Sequence, residues 1–370
     1  MDGKIKMCNR GFHACESPFD VFDYYTMIDS RFCEVEQDGN ISKEDRGTKI
    51  CSSKIKIKAE LKLAGMINLG VEWLKEITSP EKIKTSIKDN SSGNYAKIGS
   101  SGDEAQIGSS GYGAQIGSSG NDAKIGSSGN DAKIGSSGYD AKIGSSGNDA
   151  KIGSSGNDAK IGSSGYGAQI GSSGYGAQIG SSGYDAKIGS SGNNAKIGSS
   201  GYGAQIGSSG YGAQIGSSGY DAKIGSSGNN AQIGSSGNDA KIGSSGNDAK
   251  IGSSGNDAKI GSSGNNAQIG SSGDGAQIGS SSDGAKISSS GYGAKTDSTG
   301  EDCVIMCAGI NSVAKASKGS WITLSEWSYS EGKQRYIPIC VKTEFVDGEK
   351  IKADTYYSLK GGVFVEWIND

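Results

Sequence analysis

The middle of the chain alternates apolar and polar residues with a strict period of nine. Alanine recurs at every ninth position from Ala96 to Ala294, which makes 23 units ((294 − 96)/9 + 1), and isoleucine follows two places later from Ile98 to Ile287. The consensus unit is Gly-Ser-Ser-Gly-(Asn/Tyr)-(Asp/Gly/Asn)-Ala-(Lys/Gln)-Ile. Its Ala-(Lys/Gln)-Ile part is apolar, polar, apolar, which predicts a short strand with one face turned inward. The glycines and serines between strands favour a tight corner.

One unit is too small to fold alone. Burying an isoleucine contributes about 1.5–3 kcal/mol, whereas ordering nine residues costs on the order of 10 kcal/mol. Units must therefore stack, and parallel stacking adds backbone hydrogen bonds between neighbouring coils. The pattern predicts a mainly β protein, a parallel β-solenoid built as a two-sided roll, in which two nonapeptides make one coil of 18 residues. A three-sided coil of three nonapeptides is the alternative.

The segments that flank the repeats predict two caps. Ser17-Pro18 is typical of a helix start, Ile50 to Leu61 alternates like a strand, and residues 62–78 fit a second helix. We expect the N-terminal segment to cover the open end of the first coil, since an exposed stack end would recruit another chain. The sequence predicts three domains: an α+β N-terminal cap over residues 1–90, the solenoid over residues 91–305, and a β-rich C-terminal cap over residues 306–370. The C-terminal cap is rich in aromatic residues and is therefore a candidate for self-association.

The charged positions of the repeat vary together. Asp precedes the alanine in ten of the 23 units, and in all ten of these Lys follows the alanine. Nine of the other thirteen units carry Gln there instead. Because residues two apart on a strand share a face, this pattern indicates that Asp neutralises lysines that stack from coil to coil.

The position two before each alanine is mostly Asn or Tyr, and no narrow interior accepts both, so we expect it on an exposed corner. Tyrosines 18 residues apart would then stack along one edge of the coil. Such rows either stabilise the stack or form an adhesive stripe for a protein or a glycan. The candidate binding residues are Tyr166, Tyr184, Tyr202 and Tyr220 on one edge and Tyr175 and Tyr211 on the other.

Composition narrows the classes of function. With 37 Lys and Arg against 40 Asp and Glu, the net charge of −3 lacks the positive excess that general nucleic-acid binding needs. No stretch approaches about 18 consecutive apolar residues, so no membrane-spanning segment is predicted. The first residues lack the apolar region of a secretory signal, and seven cysteines, an odd number, suit a reducing compartment. These features favour the cytosol.

Two motifs resemble metal-binding motifs, but their details do not support metal binding. The repeat has the length and glycine placement of the calcium-binding RTX nonapeptide, but thirteen units lack the Asp and the large apolar residue sits one position later. Cys8, His13 and Cys15 are weak candidates for a metal site, because their spacing matches no common zinc pattern. His13 is the only histidine, and the sequence contains neither a phosphate loop nor a nucleophile elbow. We therefore expect neither an enzyme nor a bound cofactor.

Four strings resemble an uncharacterised family of phage and bacterial repeat proteins. Three belong to its N-terminal domain, namely Gly11-Phe12-His13-Ala14-Cys15-Glu16, Asp20-Val21-Phe22-Asp23-Tyr24-Tyr25 and Arg31-Phe32-Cys33-Glu34-Val35-Glu36. The fourth resembles the tail of such proteins and reads Val346-Asp347-Gly348-Glu349-Lys350-Ile351-Lys352-Ala353-Asp354-Thr355-Tyr356-Tyr357. The family transfers no activity. The resemblance implies a phage or mobile-element context, and relatives often begin with residues that precede this N-terminus.

The leading hypothesis is a non-enzymatic scaffold or interaction protein that binds a host macromolecule, most directly a host protein, with inhibition of a host defence component as one form of that hypothesis. The second is a phage-particle fibre or adhesin that binds glycans through the tyrosine edge. The third is an N-terminal domain that binds a small molecule or zinc near His13 and Cys15, with the repeats as a spacer.

Overall fold

The computed structural model describes residues 11–25, 30–43, 48–61, 63–77 and 93–368. Backbone contacts divide it into two compact units, Met1–Lys196 and Ile197–Asp370. Cys8, one of the weak metal candidates, lies outside the described residues.

The N-terminal part of the first unit combines a three-stranded antiparallel sheet with two helices. The central strand β3 (Lys49–Leu61) pairs with β1 (Phe12–Cys15) on one side and β2 (Phe32–Lys43) on the other. A 3-10 helix spans Pro18–Asp23, and α1 spans Leu63–Ile77. The predicted α+β character and the predicted strand and second helix are confirmed, whereas the expected first helix is a single 3-10 segment.

Every repeat contributes one four-residue strand. In the first unit these strands are β4 (Lys97–Ser100), β5 (Gln106–Ser109), β6 (Gln115–Ser118), β7 (Lys124–Ser127), β8 (Lys133–Ser136), β9 (Lys142–Ser145), β10 (Lys151–Ser154), β11 (Lys160–Ser163), β12 (Gln169–Ser172), β13 (Gln178–Ser181) and β14 (Lys187–Ser190). In the second unit, or at its boundary, they are β15 (Lys196–Ser199), β16 (Gln205–Ser208), β17 (Gln214–Ser217), β18 (Lys223–Ser226), β19 (Gln232–Ser235), β20 (Lys241–Ser244), β21 (Lys250–Ser253), β22 (Lys259–Ser262), β23 (Gln268–Ser271), β24 (Gln277–Ser280), β25 (Lys286–Ser289) and β26 (Lys295–Ser298).

Alternate strands pair in parallel, so each unit contains two sheets. Even-numbered strands form the first sheet and odd-numbered strands the second. Within each sheet a residue pairs with its equivalent 18 positions away, as Ile152 does with Ile170 and Ile251 with Ile269. This register confirms the two-sided β-solenoid with two nonapeptides per coil, and it rules out the three-sided alternative.

The strand begins later in the repeat than predicted. It runs Lys/Gln-Ile-Gly-Ser, so isoleucine and the first serine of the pair point inward while Lys/Gln and glycine point outward. Alanine precedes the strand and is buried as well: Ala159 is 0% exposed and Ile161 3% exposed. The expectation that both serines lie in the corners is therefore wrong for the first serine, because the period-two alternation of the strand continues through it.

The corners use glycine differently from the expectation. A Cβ on the corner glycine Gly165 would overlap the carbonyl oxygen of Gly147 one coil away, so close backbone approach excludes a side chain there. Positive φ occurs instead at the residue before alanine, for example 56° at Asp158 and 67° at Gly167. Asp, Asn and Gly tolerate this left-handed conformation best, which explains why they dominate the position. The proposed neutralisation of lysine by Asp stays a prediction.

The second unit ends in a β-rich segment, as predicted. The parallel ladders continue through β27 (Val304–Cys307) and β28 (Val313–Ala316). The long strand β29 (Trp321–Ser330) pairs in parallel with β27 and then turns back through β30 (Arg335–Phe345) as an antiparallel hairpin. A shorter hairpin, β31 (Tyr357–Lys360) and β32 (Val363–Glu366), pairs antiparallel with β28.

We had expected the N-terminal domain to cover the open end of the first coil, but the described part of this domain contacts a sheet face instead. Helix α1 contacts β6, β8, β10, β12 and β14, so it lies across the outer face of the first sheet in the first unit. The reason is chemical: the outward glycines of these strands leave a flat strip without side chains, on which an apolar helix face can be buried.

Candidate binding surfaces

The covered glycine row, Gly135, Gly153 and Gly171, is the surface on which the N-terminal domain rests. A Cβ on these glycines would lie 2.6 Å from Leu74 Cδ1, 2.5 Å from Phe19 Cζ and 2.7 Å from Ile67 Cδ1, respectively. One apolar side chain therefore fills the place of the missing side chain on each of three consecutive coils. Glycine is required here because any Cβ would displace these contacts.

Phe19 is the centre of this interface. Its ring is 2% exposed and lies between Gly153 of the solenoid and Gly70 of α1, where a Cβ would also overlap the ring. It belongs to a buried apolar cluster with Phe22, Phe32, Met66 and Leu74. The small domain thus builds its own core and its contact with the solenoid from the same side chains, which couples the two energetically.

An ion-pair cluster lies beside the covered row. Lys133 Nζ donates to Asp20 Oδ2 at 2.9 Å, and Lys151 Nζ lies 3.2 Å from Asp20 Oδ1. Thr48 donates a further hydrogen bond to the same carboxylate. Burial raises the pKa of Asp20, but the two lysines and the hydrogen bonds outweigh it, so the net pKa lies below its ordinary value. The carboxylate therefore stays ionised and holds the two lysines that flank the glycines.

The opposite sheet of the first unit presents the same pattern uncovered. We call Gly126, Gly144 and Gly162 the open glycine row, because among the described residues no atom other than those of the chain neighbours lies within 4 Å of where a Cβ would lie on any of them. Exposed lysines flank the row on the same strands, at Lys124, Lys142 and Lys160.

The second unit carries an equivalent strip on its first sheet. We call Gly225, Gly243 and Gly261 the second open glycine row, because in the described part of the chain no atom beyond the chain neighbours lies within 4 Å of a Cβ position on them. Its flanking exposed lysines are Lys223, Lys241 and Lys259. Both open rows combine flat backbone with regularly spaced lysines.

The predicted tyrosine edges exist as exposed corner rows. All six candidates are exposed, from 45% at Tyr220 to 60% at Tyr184. The rings of Tyr202 and Tyr220 stack with their centroids 5.7 Å apart and their planes within 3°. The six candidates are Tyr166, Tyr175, Tyr184, Tyr202, Tyr211 and Tyr220.

Several tyrosine hydroxyls bind the left-handed residue of the next coil. Asn194 Nδ2 donates to Tyr175 Oη at 2.6 Å, and Tyr202 Oη donates to Asp221 Oδ2 at 2.7 Å. The hydrogen bond to Asp239 is the largest contribution that raises the pKa of Tyr220, to about 12. These bonds support a role of the rows in holding neighbouring coils together, while the ring faces remain accessible.

Asparagine at the same corner position acts through the backbone. Asn157 Oδ1 accepts the N–H of Tyr175 at 2.9 Å, and Asn238 Oδ1 accepts the N–H of Asn256 at the same distance. Each such side chain links one coil to the next. Asparagine and tyrosine therefore stabilise the stack by different means, and only tyrosine adds an exposed ring.

The N-terminal domain also contains an open cavity of about 1480 Å³. Both His13 and Cys15 line it, together with Tyr24, Phe32 and Trp73. Lys49 Nζ lies 4.3 Å from the centroid of the Tyr24 ring. The cavity is large enough for a small molecule or a peptide side chain. His13 and Cys15, near which the third hypothesis places a binding site, are among its lining residues, whereas the sequence does not indicate a cavity.

Metal binding finds no support in the part of the chain that the structure describes. No group of three or more His, Cys, Asp and Glu side chains among residues 11–25, 30–43, 48–61, 63–77 and 93–368 is arranged to hold an ion. His13 pairs in register with the buried Cys51, and Cys15 pairs with Lys49. In the second unit, burial raises the pKa of the Cys307 thiol to about 11, which suits a buried, unreactive cysteine.

The C-terminal end of the second sheet exposes an apolar face. Its outward residues include Val304 and Met306 on β27, Trp321 on β29 and Val341 and Phe345 on β30, all exposed. Trp321 and Phe345 pair across the strands with ring centroids 5.1 Å apart. An apolar sheet face of this kind is typical of a protein contact.

The sequence does not predict two features of these surfaces. It predicts a corner for the glycine that the structure places on the outward face of the strand, although glycine at the third strand position of nearly every repeat was the available signal. The docking role of Phe19 and Asp20 had no sequence signal, because their partners lie more than a hundred residues away: Asp20 and Lys133 are separated by 113 positions.

Comparison with known proteins gives one match. Residues 1–69 fit the model of a family described as a domain of unknown function (DUF7666), which covers the N-terminal domain and the first half of α1. No curated protein and no solved structure matches the chain. In the described part of the chain no helix is long and apolar enough to cross a membrane. The chain is thus a β-solenoid repeat protein whose N-terminal segment is similar to an uncharacterised domain family.

Proposed function

We propose that the chain is a non-enzymatic β-solenoid scaffold that binds a protein partner on the open faces of its solenoid. The observation that carries the proposal is the covered glycine row, because a folded domain of the chain itself already uses a sheet face of this solenoid as a binding surface. Faces with the same residue pattern lie open in both units. Long, flat and regular surfaces of this kind are the usual binding surfaces of repeat proteins.

The resemblance to phage and bacterial repeat proteins makes a host protein the first class of partner to test, a host defence component included. The apolar face around Trp321 and Phe345 supports an additional self-association through the C-terminal segment. Replacing Val341 with lysine would then convert a dimer to a monomer in sedimentation velocity. A wild-type chain that sediments as a monomer at high micromolar concentration would contradict this part of the proposal.

The test of the scaffold role is a pull-down with a shortened chain. Deleting residues 202–291 removes ten nonapeptides, or five coils, and joins Gly201 to Tyr292 without changing the repeat sequence. The strands under α1 stay intact. We expect capture of a host partner to weaken on shortening, because the deletion removes the open face in the second unit and leaves the one at Gly126, Gly144 and Gly162. Capture at full strength by a shortened chain that also carries methionine at these three glycines would assign binding to the flanking segments and contradict the proposal.

A second candidate function is glycan binding at the tyrosine edges, since the exposed rings are the usual stacking surfaces for sugars. Replacing Tyr202, Tyr211 and Tyr220 with asparagine tests it, because asparagine occupies the same corner in other repeats and keeps the coil-to-coil hydrogen bond. A glycan bound by the wild-type chain and lost in this variant would favour an adhesin. Binding unchanged in the variant would exclude the tyrosine edge.

A further inference from the structure

The covered glycine row shows which kind of structure fits a face of this solenoid. Ile67 and Leu74 are seven residues apart on α1, and they fill the row at Gly171 and Gly135, which are two coils apart. Seven residues of α-helix rise about 10.5 Å. Two coils of a parallel stack span about 9.6 Å. A helix with apolar residues at heptad spacing therefore matches every second glycine of a row.

Charge completes the fit. Phe19 fills Gly153, the glycine between those two, and the neighbouring Asp20 carboxylate bridges Lys133 and Lys151 on the strands beneath. The covered row is thus occupied by apolar side chains on three consecutive coils, with one carboxylate between two stacked lysines. These are the two components that a bound segment must supply.

The open glycine row has the same two features as the covered glycine row, namely outward glycines and flanking lysines. Gly126, Gly144 and Gly162 lie on β7, β9 and β11, which pair in the same register as β8, β10 and β12. Their lysines, Lys124, Lys142 and Lys160, occupy the same strand position as Lys133 and Lys151. The second open glycine row has the same arrangement on β18, β20 and β22.

We propose that each open glycine row binds an acidic amphipathic helix of a partner protein, with apolar side chains at heptad spacing over the glycines and a carboxylate between two of the flanking lysines. This inference rests on the proposed scaffold function and names the chemistry of its partner. A second copy of the chain is the less suitable occupant, because its own N-terminal helix already covers its own glycine row.

The probe is a synthetic helical peptide of three heptads with leucine on one face and glutamate beside it, titrated calorimetrically into the full-length chain. We expect two peptides bound per chain, one for each open row. Replacing Gly126, Gly144 and Gly162 with methionine should leave one peptide bound. The fold accepts methionine at this strand position, because Met306 occupies it on β27.

Two further variants separate shape from charge. Replacing Lys124, Lys142 and Lys160 with glutamine, which other repeats carry there, should weaken the affinity of that site at least tenfold and reduce its salt dependence. The matched control places methionine at Gly216 and Gly234, which lie beside glutamines in the second unit, and should leave both sites unchanged.

Three outcomes would overturn the inference: no binding of the acidic peptide, equal binding of a peptide with lysine in place of glutamate, or two peptides still bound to the methionine variant. Self-association of the wild-type chain that is lost in that variant would assign the row to a second copy and overturn it as well. A host protein captured in the pull-down despite failure of the peptide would leave the scaffold proposal standing.

Discussion

Replacing Gly153 with alanine tests whether the covered glycine row holds the N-terminal domain. The new Cβ would lie 2.5 Å from Phe19 Cζ, and the ring has no free space because it is enclosed between α1 and the solenoid. Overpacking of this kind costs about 1–3 kcal/mol. Complete expulsion of the ring would forfeit about 1.5–3 kcal/mol of burial. We therefore expect the ratio of docked to undocked domain to fall by about 5-fold to 150-fold.

The assay is hydrogen exchange of α1, whose peptides have a unique sequence and are therefore assignable, unlike those of the repeats. The matched control is Gly162→Ala at the same strand position on the opposite sheet, where no atom lies within 4 Å of the added Cβ. Amide protection over residues 63–77 should fall in Gly153→Ala and stay at the wild-type level in Gly162→Ala. Equal protection in the two variants would refute the reasoning that the glycine row is a docking surface.

Three other perturbations have defined outcomes. Since the folded-state pKa of Asp20 is below its ordinary value of 3.8, the stabilising effect of the carboxylate is complete above pH about 3.8 and lost as the pH falls through the folded-state pKa. Protection of α1 should fall in that acidic range, and Asp20→Asn should lower it already at pH 7 and flatten the pH dependence; an unchanged pH profile in the variant would contradict this. Gly165→Ala, which forces a side chain against the Gly147 carbonyl, should lower the melting temperature by several degrees relative to Gly162→Ala, and equal melting temperatures would show that the corner accepts a Cβ. Asn157→Ala removes the acceptor for the Tyr175 N–H and should cost about 0.5–1.5 kcal/mol in denaturant unfolding, and no loss would mean that water replaces the bond.

Much of the fold could be predicted because every unit repeats the same pattern of apolar and polar residues. The inward position of Ala and Ile and the exposure of the tyrosine corners follow from the local pattern, whereas the register of the paired strands decides between two and three nonapeptides per coil. The predictions were wrong where a local sequence is compatible with two different structures. The glycine after each isoleucine is compatible with a corner or with an outward strand position, and only the register of β8, β10 and β12 decides between them.

The candidate binding surfaces were less predictable. The tyrosines could be named from their spacing of 18 residues, since a regular coil brings equivalent positions together. The cavity around His13 could not be predicted, because its lining residues come from β1, β2, β3, the 3-10 helix and α1, which are brought together only by the tertiary structure. The glycine rows became recognisable as binding surfaces only once the side chains of Phe19, Ile67 and Leu74 were seen to occupy one of them.

By itself the sequence determined the solenoid and its Ala and Ile core, because these depend on contacts between neighbouring repeats that are nearly identical. Only the tertiary structure decided which face the N-terminal domain covers and which faces stay open. That choice depends on contacts such as Asp20 with Lys133 and Lys151, which join residues 113 and 131 positions apart. A periodic sequence offers the same glycine and lysine pattern on many coils, so no local rule distinguishes the covered row from the open ones.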